Sequence, residues 1–305
     1  MHAASARRWA RRWATDVRWP QDAVGWPLRE HSRFVLCRPH RWHVQETGTG
    51  ETLILIHGAG GATQSWRGLF PLLAARFHVV AVDLPGQGFS QCGARARMGL
   101  DGIAEDLRSL IAQEGWWPAA LIGHSAGAAV ALRMALTDPV PVLAINPALQ
   151  NFRGVAGWLF PVLAKVLALN PFSAALFTAT TTRTTVRRLI EGTGSRLGPE
   201  GLDLYYRLAK DRAHADAVLA MMSQWSLDGL LARRDRIASP VRCLVGLGDT
   251  AVAPASVRSG VRGLPDVTVE EWDGLGHLMH EEAPDRVADW VRRAMTDLKP
   301  APDTA

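Results

Sequence analysis

From Thr52 onward, six short apolar runs alternate with helical stretches, and this alternation constrains the fold more than any other feature of the chain. The runs are Leu53–Ile56, His78–Val82, Ala120–Ile122, Val142–Ile145, Arg242–Leu247 and Val267–Glu271. Between them, helices fit around Trp66–Ala75, Ile103–Gln113, Ala126–Leu136, Pro254–Gly263 and Pro284–Thr296. Apolar strands joined by helices close as right-handed crossovers. The pattern therefore specifies an α/β protein with a mostly parallel sheet covered by helices on both faces. Upstream, Ser32–Leu36 and the alternating Trp42–Gln45 read as an antiparallel pair of edge strands, closed by Thr47–Gly50.

One gap interrupts the alternation. Between about Asn146 and Leu230 there is no good strand run, only apolar helical stretches punctuated by Pro161, Pro171 and Pro199. This reads as an inserted helical cap. The expected organisation is a basic Trp/Arg-rich arm at 1–24, an α/β core at 25–146 and 231–297, the cap at 147–230 and a tail at 298–305. A chain of 305 residues with 48% hydrophobic content is long enough for one large core carrying such an elaboration. Val155–Leu169 is the longest apolar run, but it contains Pro161 and Lys165 and reads as a buried or cap helix rather than a membrane span.

The charge is unevenly placed. Arg7, Arg8, Arg11, Arg12 and Arg18 stand against Asp16 alone in the first twenty residues, which leaves one of the five net positive charges for the rest of the chain. A nucleic-acid binder spreads a basic stripe over its folded surface, so nucleic acid is not the expected partner. As a helix the arm would place Trp9 and Trp13 on one face between arginines, with Trp19 beyond them, a pattern suited to an anionic membrane surface; a solvated basic tail, or a segment folded against the body, is the plainer alternative. Cys37, Cys92 and Cys243 are an odd number without paired short spacing, which fits neither a disulfide framework nor a zinc site and points to a cytoplasmic protein, peripheral to the membrane if the arm touches lipid. The amino terminus lacks the apolar stretch of a secretory signal.

Gly123-His124-Ser125-Ala126-Gly127 carries the chemistry. Its G-x-S-x-G pattern is weak alone, but it follows the apolar Ala119–Ile122 and opens the helical Ala128–Leu132, the strand, sharp turn and helix that expose a nucleophilic serine. A serine hydroxyl needs a base to take its proton, and the base needs an orienting acid. Asp249 lies at the end of the apolar Cys243–Gly248 run, and His277 lies in Gly274–His277 after the next run. The expected catalytic residues are Ser125, Asp249 and His277. His280, Asp266 and Asp273 are the rivals, but the two aspartates lack the strand-end position of Asp249. The backbone N–H of Ala126 and that of Ala59, in His57–Gly61, are the expected oxyanion donors, while His57 braces its own turn. Asp83–Ser90 adds a further Gly-rich turn without the G-x-G-x-x-G spacing of a dinucleotide loop. No metal-ligand cluster is visible and no cofactor is expected.

These five pieces, HGAGG, DLPGQGFS, GHSAG, GLGDTAVAP and GLGHLMHEEAP, resemble the α/β-hydrolase superfamily from about residue 52 to residue 295. The resemblance implies an α/β-hydrolase fold, and the serine at position 125 disfavours the haloalkane dehalogenase and epoxide hydrolase branches, whose members place Asp there. Trp26–Val35, Trp42–Gln45, Glu191–Ser195 and His280–Glu282 look like the magnesium-chelatase accessory proteins of bacteriochlorophyll biosynthesis, over roughly residues 24 to 295. That likeness implies a small-molecule substrate of the tetrapyrrole class and magnesium chelatase subunits as partners. Beside it stand a general carboxylesterase, thioesterase or C–C bond hydrolase and, from another class, a non-catalytic porphyrin-binding accessory protein. Leu159-Phe160, Val162-Leu163, Met221 and Met222 would supply apolar surface, and Arg183, Arg187, Arg188 and Arg196 would supply cations for ring carboxylates, with His124 near the serine; ordinary packing and solvation of the cap explain the same residues.

Overall fold

The computed structural model describes residue 19, residues 21–150 and residues 173–298. Its eight strands are β1 (Ser32–Cys37), β2 (His40–Thr47), β3 (Thr52–Ile56), β4 (His78–Val82), β5 (Pro118–His124), β6 (Val142–Ile145), β7 (Val241–Gly246) and β8 (Val267–Trp272). They form one sheet in the order β1-β2-β4-β3-β5-β6-β7-β8. Pairing is antiparallel from β1 through β2 to β4 and parallel across all the others.

Strand alternation sorts the side chains. Ile54, Ile56, Val80 and Val82 pack on one face against helices α2 (Leu100–Glu114) and α3 (Ala126–Ala135); Leu53, Leu55, Val79 and Ala81 pack on the other against α1 (Leu69–Ala74) and, near the carboxyl end, the helix Pro284–Asp297. Because both faces are covered, the strands read as unbroken apolar runs in the sequence. Helix α2 buries Leu100, Ile103, Ala104, Leu107, Leu110 and Ile111, the spacing of a single apolar stripe.

Among the described residues, the chain between β6 and β7 forms helices only: α4 (Ser173–Thr180), α5 (Arg183–Glu191), α6 (Pro199–Lys210), α7 (Arg212–Gln224), α8 (Asp228–Leu231) and a short 3-10 helix, Arg234–Arg236. Helices α9 (Pro254–Gly260), α10 (Met279–Glu282) and α11 (Pro284–Asp297) complete the fold. Proline opens α6, α9 and α11, where its fixed φ suits the first turn and its missing N–H has no partner to lose.

Several expectations are corrected. Strand β2 is interior rather than an edge, because it pairs with β4 as well as β1. Trp66 ends a short 3-10 turn, Thr63–Trp66, and α1 begins only after Gly68. The Trp19 ring packs edge-on at 5.5 Å from Phe34 and 5.1 Å from Phe89. The rest of the basic stretch 1–18, and Leu159–Leu163 of the proposed cap surface, lie outside the described residues. No helix among the described residues is long and apolar enough to cross a membrane, and Cys37, Cys92 and Cys243 are free.

Candidate active site

The carboxyl ends of β3, β5, β7 and β8 bring the chemically distinctive turns together. Ser125 stands between β5 and α3 with φ 52 and ψ −115. A side chain in that backbone region costs about 1–3 kcal/mol, which the surrounding contacts must offset. Its N–H donates to the Ile145 carbonyl at 3.0 Å, and its own carbonyl accepts from Ala128 at 3.1 Å and Ala148 at 3.2 Å. Two residues on, a Cβ at Gly127 would lie 2.1 Å from the Ile56 carbonyl oxygen, so only glycine lets α3 start against the end of β3.

The turn after β3 lies against the serine. A Cβ at Gly58 would sit 3.1 Å from the Ser125 Cβ. His57 is fully buried; its Nδ1–H donates to the Gly58 carbonyl at 2.7 Å while Nε2 accepts from the Leu84 amide at 2.9 Å, and burial lowers its pKa. It is a brace. Gly60 N–H is taken by Gln87 Oε1 at 2.9 Å and Gly61 N–H by the Gly58 carbonyl at 3.1 Å. Among the described residues, the amides of Ala59 and Ala126 make no backbone hydrogen bond across turns or loops.

Asp249 and His277 come from separate loops, after β7 and β8, and meet. Nδ1–H of His277 donates to Asp249 Oδ2 at 2.7 Å, and Asp249 Oδ1 accepts the Ala251 and Val252 amides at 2.8 Å each. The carboxylate is thereby aimed, and the His277 tautomer leaves Nε2 as an acceptor. The rivals are elsewhere: His280 is fully buried against the rings of Trp66 and His124, at 4.7 and 4.4 Å, and burial lowers its pKa to about 3. Asp266 pairs with Arg242, and Asp273 is exposed.

His124 is buried, its ring 4.7 Å from that of His277, and its Nε2–H donates to the His277 carbonyl at 2.9 Å. Burial, with the neighbouring imidazoles, holds its pKa well below the ordinary value, so it is a neutral donor that fixes the His277 backbone. Asn146 does the same from just past β6: Nδ2 donates to the carbonyls of Gly276 at 3.0 Å and His277 at 2.8 Å, and Oδ1 accepts the Gly246 amide at 2.8 Å. Sequence reasoning missed Asn146, although a polar residue directly after an apolar strand was the available signal.

The proposed substrate contacts separate. Met221 is fully buried and receives the Gln87 side-chain amide on its sulfur at 3.4 Å, so it belongs to the packing of α7 on the core; Met222 is half-buried beside it. Arg183, Arg187 and Arg188 are exposed on α5. Arg183 pairs with Asp203 and lies 4.5 Å over the Tyr206 ring. Arg187 lines an open cleft of about 650 Å³ with Ile190, Glu191, Arg196, Leu197 and Leu202. Among the described residues no group of three or more His, Cys, Asp or Glu side chains is placed to hold a metal ion.

The fold and these turns define the class: the chain belongs to the α/β hydrolase family, which matches residues 53–290. Within it, the chain is similar to the magnesium-chelatase 30 kDa subunit of Rhodobacter capsulatus, 42% identical over 276 residues that cover 88% of this chain and 97% of that protein. It is also 27% identical to the soluble epoxide hydrolase of Corynebacterium sp. (strain C12), over 85% of this chain and 95% of that one. Among solved structures, the epoxide hydrolase CorEH superposes with a TM-score of 0.75 at 20% identity, over 88% of this chain and 99% of that chain, a likeness of fold alone.

Proposed function

We propose that the chain is a serine hydrolase with Ser125, His277 and Asp249 as its catalytic residues. The Ser125 oxygen attacks an acyl carbonyl as its proton passes to His277 Nε2, and the amides of Ala59 and Ala126 receive the developing oxyanion. Collapse expels the leaving group, which takes the proton from His277. Water, deprotonated by the same imidazole, then releases the acyl group and restores the serine. The 2.7 Å bond between His277 and Asp249, in loops that converge on the strained Ser125 turn, carries this reading. Mixing enzyme with excess p-nitrophenyl acetate should give a burst of nitrophenolate equal to the enzyme concentration before the steady state. A trace with no burst, and turnover no faster than that of the Ser125→Ala protein, contradicts it.

We infer further that the substrate class is a tetrapyrrole and that the chain works with magnesium chelatase. The 42% identity to the 30 kDa subunit supports this, together with the cleft beside α5, which joins Ile190, Leu197 and Leu202 to Arg187 and Arg196. The name of that relative, a chelatase subunit, also favours a second reading in which the chain binds and delivers a porphyrin without hydrolysis. Protoporphyrin titrated into Ser125→Ala should shift its main absorption band, and Arg187→Ala should weaken binding about tenfold, the loss of one charge-assisted contact. Binding without a burst in the wild type selects the delivery reading; no binding removes the tetrapyrrole.

The basic arm is proposed as a peripheral lipid contact. Deleting residues 1–18 should leave the burst intact and weaken binding to phosphatidylglycerol vesicles, each arginine contributing about 1 kcal/mol near an anionic surface. Equal sedimentation with vesicles for both proteins contradicts it.

A further inference from the structure

Asp249 and His277 stand on two loops, and a third segment ties both. We propose that the turn Thr193–Ser195, which follows α5, is a positioning element that sets the geometry of the Asp249–His277 pair. This rests on the hydrolase reading above and extends it to the helical segment between β6 and β7.

One carbonyl oxygen is the centre of the tie. Thr193 O accepts the Thr250 amide, one residue past the acid, and the His277 amide, each at 3.3 Å. On the acid side, Thr250 Oγ1–H also donates to the Gly192 carbonyl at 2.8 Å. On the base side, the Leu278 amide donates to the Ser195 hydroxyl at 2.7 Å, with Ser195 fully buried. The Glu282 carboxylate closes the ring by accepting the Gly276 amide at 3.0 Å and the Arg196 amide at 2.9 Å.

The fit is tight enough to demand glycine. Gly194 has φ +82, and a Cβ there would lie 1.8 Å from the Gly248 carbonyl oxygen; a Cβ at Gly276 would lie 2.3 Å from Gly194. The turn is thus wedged between the residue before Asp249 and the residue before His277. The α10 helix that follows is held as well, because Glu281 receives Arg67 and the Tyr205 hydroxyl, the latter at 2.7 Å from α6. The loops do touch directly, through the Gly248 amide and the Leu275 carbonyl at 2.9 Å, but that bond precedes both catalytic side chains. The Thr193 carbonyl acts on His277 itself.

A productive acid–base pair must be held to within about 0.5 Å, and a displacement near 1 Å costs on the order of a hundredfold in rate. Ser195→Ala leaves the Leu278 amide without its acceptor, and Thr250→Val removes the tie on the exposed acid side. Each should slow fluorophosphonate labelling of Ser125, roughly ten- to a hundredfold for Ser195→Ala and less for Thr250→Val. Each should also lower kcat for an ester without raising KM, and shift or broaden the low-field proton resonance of the His277–Asp249 hydrogen bond. Wild-type labelling rates and an unchanged low-field resonance in both folded variants overturn the proposal. If Ser195→Ala does not fold, Thr250→Val decides alone. A wild type that shows the low-field resonance but no labelling defeats the hydrolase reading, while displacement of that resonance in the variants still upholds the tie.

Discussion

Ser125→Ala and His277→Ala are each expected to lower ester turnover by a similar factor, roughly a millionfold, and the double variant to be no slower than either single one. The proposed mechanism makes the two groups act as a unit. Without Nε2 as acceptor the Ser125 hydroxyl stays protonated, and without the hydroxyl the imidazole has no nucleophile to activate. Asp249→Asn should cost less, on the order of ten-thousandfold, because it removes only the acceptor of the His277 Nδ1–H, which selects the tautomer. The residual rate would come from the Ala59 and Ala126 amides. Steady-state kinetics on p-nitrophenyl acetate measure the four variants against wild type. His277→Ala within tenfold of wild type would show that another base serves Ser125, and buried, unpaired His280 would have to be reconsidered.

Asp83→Asn should destabilise the fold by about 3–5 kcal/mol, the cost of removing a buried carboxylate that accepts several charge-assisted hydrogen bonds. Neither Asp83 nor His43 exposes any side-chain surface, and Asp83 Oδ2 lies 2.7 Å from His43 Nδ1. The same carboxylate accepts the Thr63 amide at 2.6 Å and the Phe89 amide at 2.9 Å. It therefore joins β2, the end of β4 and the turns that follow β3 and β4. An amide group in its place turns one acceptor into a donor facing other donors. For a chain of this size the loss corresponds to about 10 °C in melting temperature. The pH dependence has a definite sign. Burial alone would raise the Asp83 carboxyl, but the charge of His43, its hydrogen bond, His57 and the Phe89 amide outweigh that and hold it below the usual carboxylate range. A depressed carboxyl contributes stability above its unfolded pKa, near 4, and loses it as pH falls through the folded value. The gap between wild type and Asp83→Asn in thermal melts should therefore be full at pH 7 and shrink below about pH 4. A variant that melts within 2 °C of wild type at pH 7, where about 10 °C is expected, contradicts this role for Asp83.

The architecture was legible because burial on both faces makes each parallel strand a short apolar run, and β4 and β6 begin and end where the sequence places them. Strand β2 was misplaced as an edge because alternation within one strand says nothing of how many neighbours it has. The pairing of Asp249 with His277, and the turn that carries Ser125, were legible because each of the three residues follows an apolar run at a glycine-rich turn. The groups that hold them could not: the Thr193 carbonyl, the Asn146 side chain and the Glu282 carboxylate act across long sequence separations, which no local pattern records. The segment Glu191–Ser195 stood out only by family likeness, and its physical reason is the close approach of Gly194 to Gly248. The sequence left open whether Met221 packs or meets a ligand, because an apolar residue on a helix looks the same whether it faces a ligand or, as here, Gln87.

The most direct measurement is the site of covalent capture. Wild-type protein treated with a fluorophosphonate and digested should carry one phosphonyl group per chain, found by mass spectrometry on Ser125, with capture abolished by Ser125→Ala and strongly slowed by His277→Ala. Modification at any other serine, or a wild-type protein left unmodified under conditions that label a known serine hydrolase to completion, would contradict the assignment of Ser125 as nucleophile.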